Sequence, residues 1–215
     1  MLITSTLLPI VFWHGMGDSC CDGISRVEGE IQSWYPGTFT YSVRIGDDKE
    51  SDKKAGFFDK IDRQELSAIP ELKNGFNGIG FSQGGLFLRG LVQKCDSIKM
   101  VNLMTFGSPH AGVADIPNCE EESANCSLMR SIVKTGVYWS WIQSSVVQAQ
   151  YYKDWKNLDK YLESNIFLPD LNQELEDINP DYTNKMKSLK RLVLIKFEQD
   201  HMIVPKETAV ESLLI

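Results

Sequence analysis

The stretch Gly80-Phe81-Ser82-Gln83-Gly84 constrains this chain more than any other. Residues 76–81 read as a short buried strand and residues 84–94 as a helix. The G-x-S-x-G pattern therefore falls on a strand-to-helix turn. Side chains two residues either side of the serine would crowd so sharp a bend, which explains the glycines. The bend presents the Ser82 hydroxyl at the head of a helix, where N–H groups and the helix dipole favour an anion. Ser82 is then a candidate nucleophile, and the Gln83 N–H one donor to a developing oxyanion. A tight turn without chemistry fits the pentapeptide alone; the flanking strand and helix favour the chemical reading.

Residues 7–13, 38–45, 76–81, 100–106 and 192–197 read as strands. Residues 24–35 and 84–94 read as helices between them, the first ended by Pro36-Gly37. Continuous apolar runs such as 100–106 and 192–197 suit central parallel strands covered on both faces. Their alternation with helices predicts an α/β fold, a mostly parallel sheet with right-handed crossovers. Residues 112–190 break this rhythm. They hold a helical pattern at 128–152, rich in Val, Ile, Trp and Tyr, and further segments broken by Pro169 and Pro180. The region reads as a helical insertion over the carboxyl ends of the strands, where ligand pockets form.

With 215 residues and 42% hydrophobic composition, one domain spanning 1–215 can bury a sizeable core. The net charge of -7 and the lack of a basic stripe argue against nucleic acid as a partner. No apolar run reaches the ~18 residues needed to cross a bilayer. Residues 1–13 lack a basic n-region and a small-residue cleavage site, so no intact signal peptide is read there.

Acyl hydrolysis needs a second oxyanion donor, an acid and a histidine. His14-Gly15-Met16-Gly17 follows the first strand, and a turn there can aim the Met16 N–H at the same oxyanion. His14 itself reads as a structural histidine. The acid is expected in the loop after a late strand. Asp200, in Glu198-Gln199-Asp200-His201, is the best candidate and Glu198 the weaker one. The chain has three histidines: His14, His110 and His201. His110 reads as a pocket wall. His201 adjoins the acid, and neighbouring side chains seldom converge on one site. No histidine in the sequence takes the role of base without difficulty.

There are five cysteines. Cys119 and Cys126 flank a polar loop that a disulfide could close. Adjacent Cys20 and Cys21 would form a vicinal bridge or stay as two thiols. Cys95 is left over, and reduced cysteines throughout are the plain alternative. Asn125-Cys126-Ser127 is the one glycosylation sequon.

Several long motifs together resemble the lysosomal palmitoyl-protein thioesterases. They are Val11-Phe12-Trp13-His14-Gly15-Met16-Gly17-Asp18-Ser19-Cys20-Cys21, Gly75-Phe76-Asn77, residues 80–85 with Phe87-Leu88-Arg89, and Ile166-Phe167-Leu168-Pro169-Asp170-Leu171-Asn172-Gln173-Glu174. The resemblance runs from about residue 8 to residue 209. It implies an α/β-hydrolase that removes long-chain acyl groups from S-palmitoylated proteins, with acyl thioesters as substrates. It implies Ser82 as nucleophile, Asp200 as triad acid, and Met16 and Gln83 as backbone oxyanion donors. It implies a lysosomal or secreted location, and neither a metal nor an organic cofactor. It also implies an acyl groove walled by the insertion, for which Tyr138, Trp139, Trp141, Ile142, Val146 and Val147 are apolar enough; ordinary helix core is the competing reading of each. The family pattern continues past the acid into a region bearing the triad histidine, and its partner for Cys95 has no counterpart near residues 60–66. The rival expectations are a non-catalytic relative that binds acyl chains or a partner, and an esterase for ordinary carboxylic esters.

Overall fold

A computed structural model describes residues 7–44, 63–114 and 136–210 of the chain. Five parallel strands form the sheet: β1 (Ile10–Trp13), β2 (Thr40–Ser42), β3 (Phe76–Phe81), β4 (Met100–Phe106) and β5 (Arg191–Ile195). Their spatial order is β2-β1-β3-β4-β5. The expected runs at 76–81 and 100–106 coincide with β3 and β4. Of the expected strand at 38–45, whose last residue lies outside the described ones, Thr40, Tyr41 and Ser42 pair with Ile10, Val11 and Phe12, and single backbone hydrogen bonds join β1 to Phe39 and Val43 on either side.

The strand order reverses direction at β1. From β1 the chain goes to one side, through α1 (Gly23–Trp34) to β2, and then to the other, through β3 to β4 and β5. Right-handed crossovers in opposite directions put their helices on opposite sheet faces. They also open a crevice at the carboxyl ends of the strands beside the reversal, the usual ligand position in open α/β sheets.

The helix after β3, α2 (Gln83–Lys94), is the centre of the core, with every residue from Gln83 to Gln93 buried. Glycines let it lie against the sheet. A Cβ on Gly84 would stand 2.6 Å from the His14 carbonyl oxygen and closer still to that of Trp13; one on Gly80 would collide with the Gly85 backbone. Trp13, Phe87 and Phe167 continue the apolar contact into the later part of the chain, with ring centroids 5.2 and 6.4 Å apart.

The start of the segment between β4 and β5, its root, is bonded to residues midway along that segment. The Val113 N–H donates to the Tyr151 carbonyl at 2.9 Å, and the Lys153 N–H to the Val113 carbonyl at 2.8 Å. Its described part is built of short helices: α3 (Ser140–Ser145), α4 (Val147–Gln150), α5 (Leu158–Ser164), α6 (Leu168–Leu171) and α7 (Pro180–Lys187). The helical pattern expected at 128–152 is interrupted at Val146, whose backbone is extended (φ -129°, ψ 104°). Cys119, Cys126 and the sequon at Asn125 lie outside the described residues. Cys20 and Cys21 are joined by a disulfide, and Cys95 is buried.

Candidate active site

Ser82 occupies the bend between β3 and α2 with φ 50° and ψ -127°. A positive φ is uncommon outside glycine and marks backbone held against its preference. The Ser82 N–H donates to the Phe106 carbonyl at 2.8 Å, which fastens the bend to the end of β4. Gln83 is the first residue of α2, so its N–H has no acceptor within the helix. It lies at the positive end of the helix dipole, beside the serine.

Ser82 opens on a cavity of about 540 Å³. Four strand ends supply its wall: Gly15 and Met16 after β1, Phe81 and Ser82 after β3, Phe106 and Gly107 after β4, and residues 197 and 199–203 after β5. Ser82, Met16 and Asp200, singled out separately in the sequence, thus border one space. The Gln83 side chain turns away, toward the insertion. Its Oε1 accepts from the Tyr151 hydroxyl at 3.1 Å and from Gln148 Nε2 at 3.5 Å.

Asp200 caps its own turn. Its Oδ1 accepts from the N–H groups of Met202 at 2.8 Å and Ile203 at 2.9 Å. Its Oδ2 lies on the side of Gly107. One carboxylate oxygen therefore fixes the loop, and the other is placed to accept a further hydrogen bond. Glu198 is directed elsewhere: Lys206 donates to it at 3.2 Å, and Lys206 and Lys196 hold its carboxyl below the usual range.

Of the three histidines, His201 alone borders the cavity. His14 is buried, with Nδ1 2.9 Å from the Gly15 carbonyl oxygen, as expected of a loop-bracing residue. His110 is fully buried, and its Nε2 is hydrogen-bonded to Thr105 Oγ1 at 2.9 Å. Burial, aided by the Arg89 charge, holds its pKa well below the ordinary 6.5. The expectation of His110 as a pocket wall gives way to a core position.

A family model described as palmitoyl protein thioesterase matches residues 9–212. The chain belongs to the palmitoyl protein thioesterase family. It is 40% identical over 210 residues to palmitoyl-protein thioesterase 1 of Caenorhabditis elegans, covering 94% of this chain and 70% of that protein. It is 42% identical over 212 residues to the palmitoyl-protein thioesterase-dolichyl pyrophosphate phosphatase fusion 1 of Schizosaccharomyces pombe, covering 94% of this chain and 34% of the fusion. Among solved structures, the mature form of the Bacillus licheniformis lipase BlEst2 is similar over 88% of this chain and 66% of its own, with 15% identity and a TM-score of 0.48. The α/β-hydrolase fold of this family member is already evident in its parallel strand order and the bend at Ser82.

The apolar wall of the family member's cavity comes from Phe81, Phe106, Phe197, Met202 and Ile203. None of Tyr138, Trp139, Trp141, Ile142, Val146 and Val147 borders it. Ile142 and Val147 belong to the core, Tyr138 and Val146 pack against it, and Trp139 and Trp141 are 55% and 57% exposed. Sequence reasoning had not singled out Phe106, Phe197 or Met202 for the wall. The signal available was position: each lies at or just past the carboxyl end of a predicted strand, where clefts of this architecture form.

Proposed function

We propose that this chain hydrolyses long-chain acyl thioesters on S-acylated protein cysteines, with Ser82 as nucleophile. The observation that carries the reading is the strained Ser82 bend opening on a largely apolar cavity that Met16 and Asp200 also border. Ser82 Oγ attacks the thioester carbonyl, and the oxyanion is received by the N–H groups of Gln83 and Met16. The C–S bond breaks, and the cysteine sulfur leaves with the proton that the serine gave up. Water then cleaves the acyl-serine ester and releases the fatty acid. Within this chain His201, on the cavity wall and next to Asp200, is the imidazole available to carry that proton.

A long-chain alkyl fluorophosphonate should label the wild-type chain and leave Ser82→Ala unlabelled. Release of thiol from a palmitoyl thioester should disappear in the same variant and fall steeply in His201→Gln. An unlabelled wild-type chain that is folded by circular dichroism sinks the catalytic reading.

One feature favours a second reading. His14 and His110 are both buried and outside the cavity wall, leaving only His201, an exposed neighbour of the acid. A non-catalytic acyl binder would show palmitate binding by calorimetry without turnover. Faster cleavage of oxygen esters than of thioesters would assign the chain to ordinary ester substrates. The family's lysosomal thioesterases, such as PPT2 of Bos taurus, and the Cys20–Cys21 disulfide support an oxidising, lysosomal or extracellular location for this chain.

A further inference from the structure

We propose that Tyr151 is a positioning residue for the oxyanion site: its hydroxyl, donating to Gln83 Oε1, fixes the turn that carries the Gln83 N–H. The inference deepens the reading of Ser82 as nucleophile and rests on it.

The Gln83 backbone and side chain face different tasks. The backbone follows directly on a residue at φ 50°, and its N–H is one that no helical carbonyl restrains. A bend held against its preference keeps its shape only where its surroundings over-determine it. The Gln83 side chain supplies such a hold. It is 4% exposed, and its carboxamide oxygen accepts the Tyr151 hydroxyl at 3.1 Å and Gln148 Nε2 at 3.5 Å. Burying a carboxamide at the first position of a core helix is unfavourable unless its oxygen is satisfied, and both donors come from the insertion.

Tyr151 is itself anchored. It is 4% exposed, and its carbonyl accepts the Val113 N–H at 2.9 Å at the root of the insertion, just after β4. Burial raises the pKa of its hydroxyl, so it stays a donor throughout the physiological range. One hydrogen bond therefore joins the root of the insertion to the residue whose amide faces the reaction. Any displacement of that root is felt at the Ser82 bend.

Tyr151→Phe keeps the ring and removes only the hydroxyl. Two readouts test it. The first is hydrogen exchange at the Gln83 amide, followed by nitrogen-15 NMR, which should quicken severalfold. The second is labelling by an alkyl fluorophosphonate, with the maximal rate and the half-saturating probe concentration measured separately. The maximal rate should fall roughly tenfold, less than the 10²–10³ seen when such a donor is removed outright, with half-saturation unchanged. Gln83→Met should reproduce both effects, and the double variant should be no slower than either single one. Should Tyr151→Phe fail to fold by circular dichroism, Gln83→Met carries both readouts. A wild-type chain that takes no label, with exchange still quickened in the variant, defeats the nucleophile reading and leaves the clamp standing. Unchanged exchange at Gln83 overturns the clamp. A lowered melting temperature with an unchanged labelling rate reduces Tyr151 to a packing role and overturns the proposal.

Discussion

Removing the Glu174 carboxylate should cost this chain more than removing the arginine buried beside it. Glu174 follows α6 in the insertion and collects three donors: Lys153 Nζ at 2.7 Å, the Tyr161 hydroxyl at 2.7 Å and Asn172 Nδ2 at 3.4 Å. It also supplies the attraction that partly offsets the burial of Arg89. That guanidinium lies within α2, is 1% exposed, and donates to Asn172 Oδ1 at 2.5 Å and to the His110 carbonyl at 3.4 Å. Desolvation outweighs the attraction and lowers its pKa to about 9. Glu174→Ala leaves Arg89 and Lys153, whose side chain is 9% exposed, without a counter-charge among the described residues. Breaking a buried pair costs about 3–5 kcal/mol. The Lys153 ammonium keeps the Trp155 and Tyr161 rings at 4.4 and 5.1 Å, so the low end, about 3 kcal/mol, is expected.

Arg89→Met strands no charge. Glu174 keeps all three of its donors, the desolvation of a guanidinium disappears, and a side chain of similar length fills the space. The change should cost about 1–2 kcal/mol, because Asn172 Oδ1 and the His110 carbonyl lose a donor but no charge is stranded. Equilibrium urea unfolding followed by far-ultraviolet circular dichroism separates the two. Both variants should keep the wild-type slope, and only Glu174→Ala should move the midpoint strongly. A loss in Arg89→Met equal to or larger than that in Glu174→Ala would refute the view of Glu174 as the hub.

Acid should weaken the fold through His110. Its pKa is held well below 6.5 by burial and then by Arg89, so below pH 6.5 the unfolded chain takes up a proton that the folded chain refuses. Stability then falls as the pH drops, by up to about 1.4 kcal/mol per unit until the folded pKa is reached, and is unaffected above 6.5. His110→Gln should flatten the dependence of the urea midpoint on pH between about 6.5 and 5, and an unchanged slope counts against the argument. Ser82→Gly should raise stability by about 1 kcal/mol, since relief of a strained φ outweighs the extra freedom of unfolded glycine; a lower melting temperature contradicts it. Gly84→Ala should cost about 2–3 kcal/mol, because the new methyl meets carbonyl oxygens of Trp13 and His14 that cannot yield. Gly29→Ala, with nothing within 4 Å, should gain about 0.5–1 kcal/mol from helix propensity, and thermal melts of the pair check both.

The parts legible in the sequence were those that local physics decides. Residues 76–81 and 100–106 could be bounded at their ends because each closes on a phenylalanine directly before Ser82 or Gly107, and the turn at Ser82 follows from the first of them. That Asp200 and Met16 lie on the cavity wall agrees with their places in the loop after a late strand and in a glycine-flanked turn after an early one. Phe106, Phe197 and Met202 could not be gathered this way, because only the order β3-β4-β5 brings them together. The largest gap was the polar content of α2. Residues 84–94 read as a helix, yet this helix is buried on all sides and still carries Gln83, Arg89 and Gln93. Such residues are tolerable in a core only with partners. Those partners are Tyr151, Asn172 and the Leu171 carbonyl, 68, 83 and 78 residues away. Lys94 adds an ion pair to Asp170 at 2.6 Å. Every one of them belongs to the insertion between β4 and β5. The insertion therefore supplies partners to the helix that begins at the Ser82 bend from its first turn to its last, while contributing nothing to the described cavity wall.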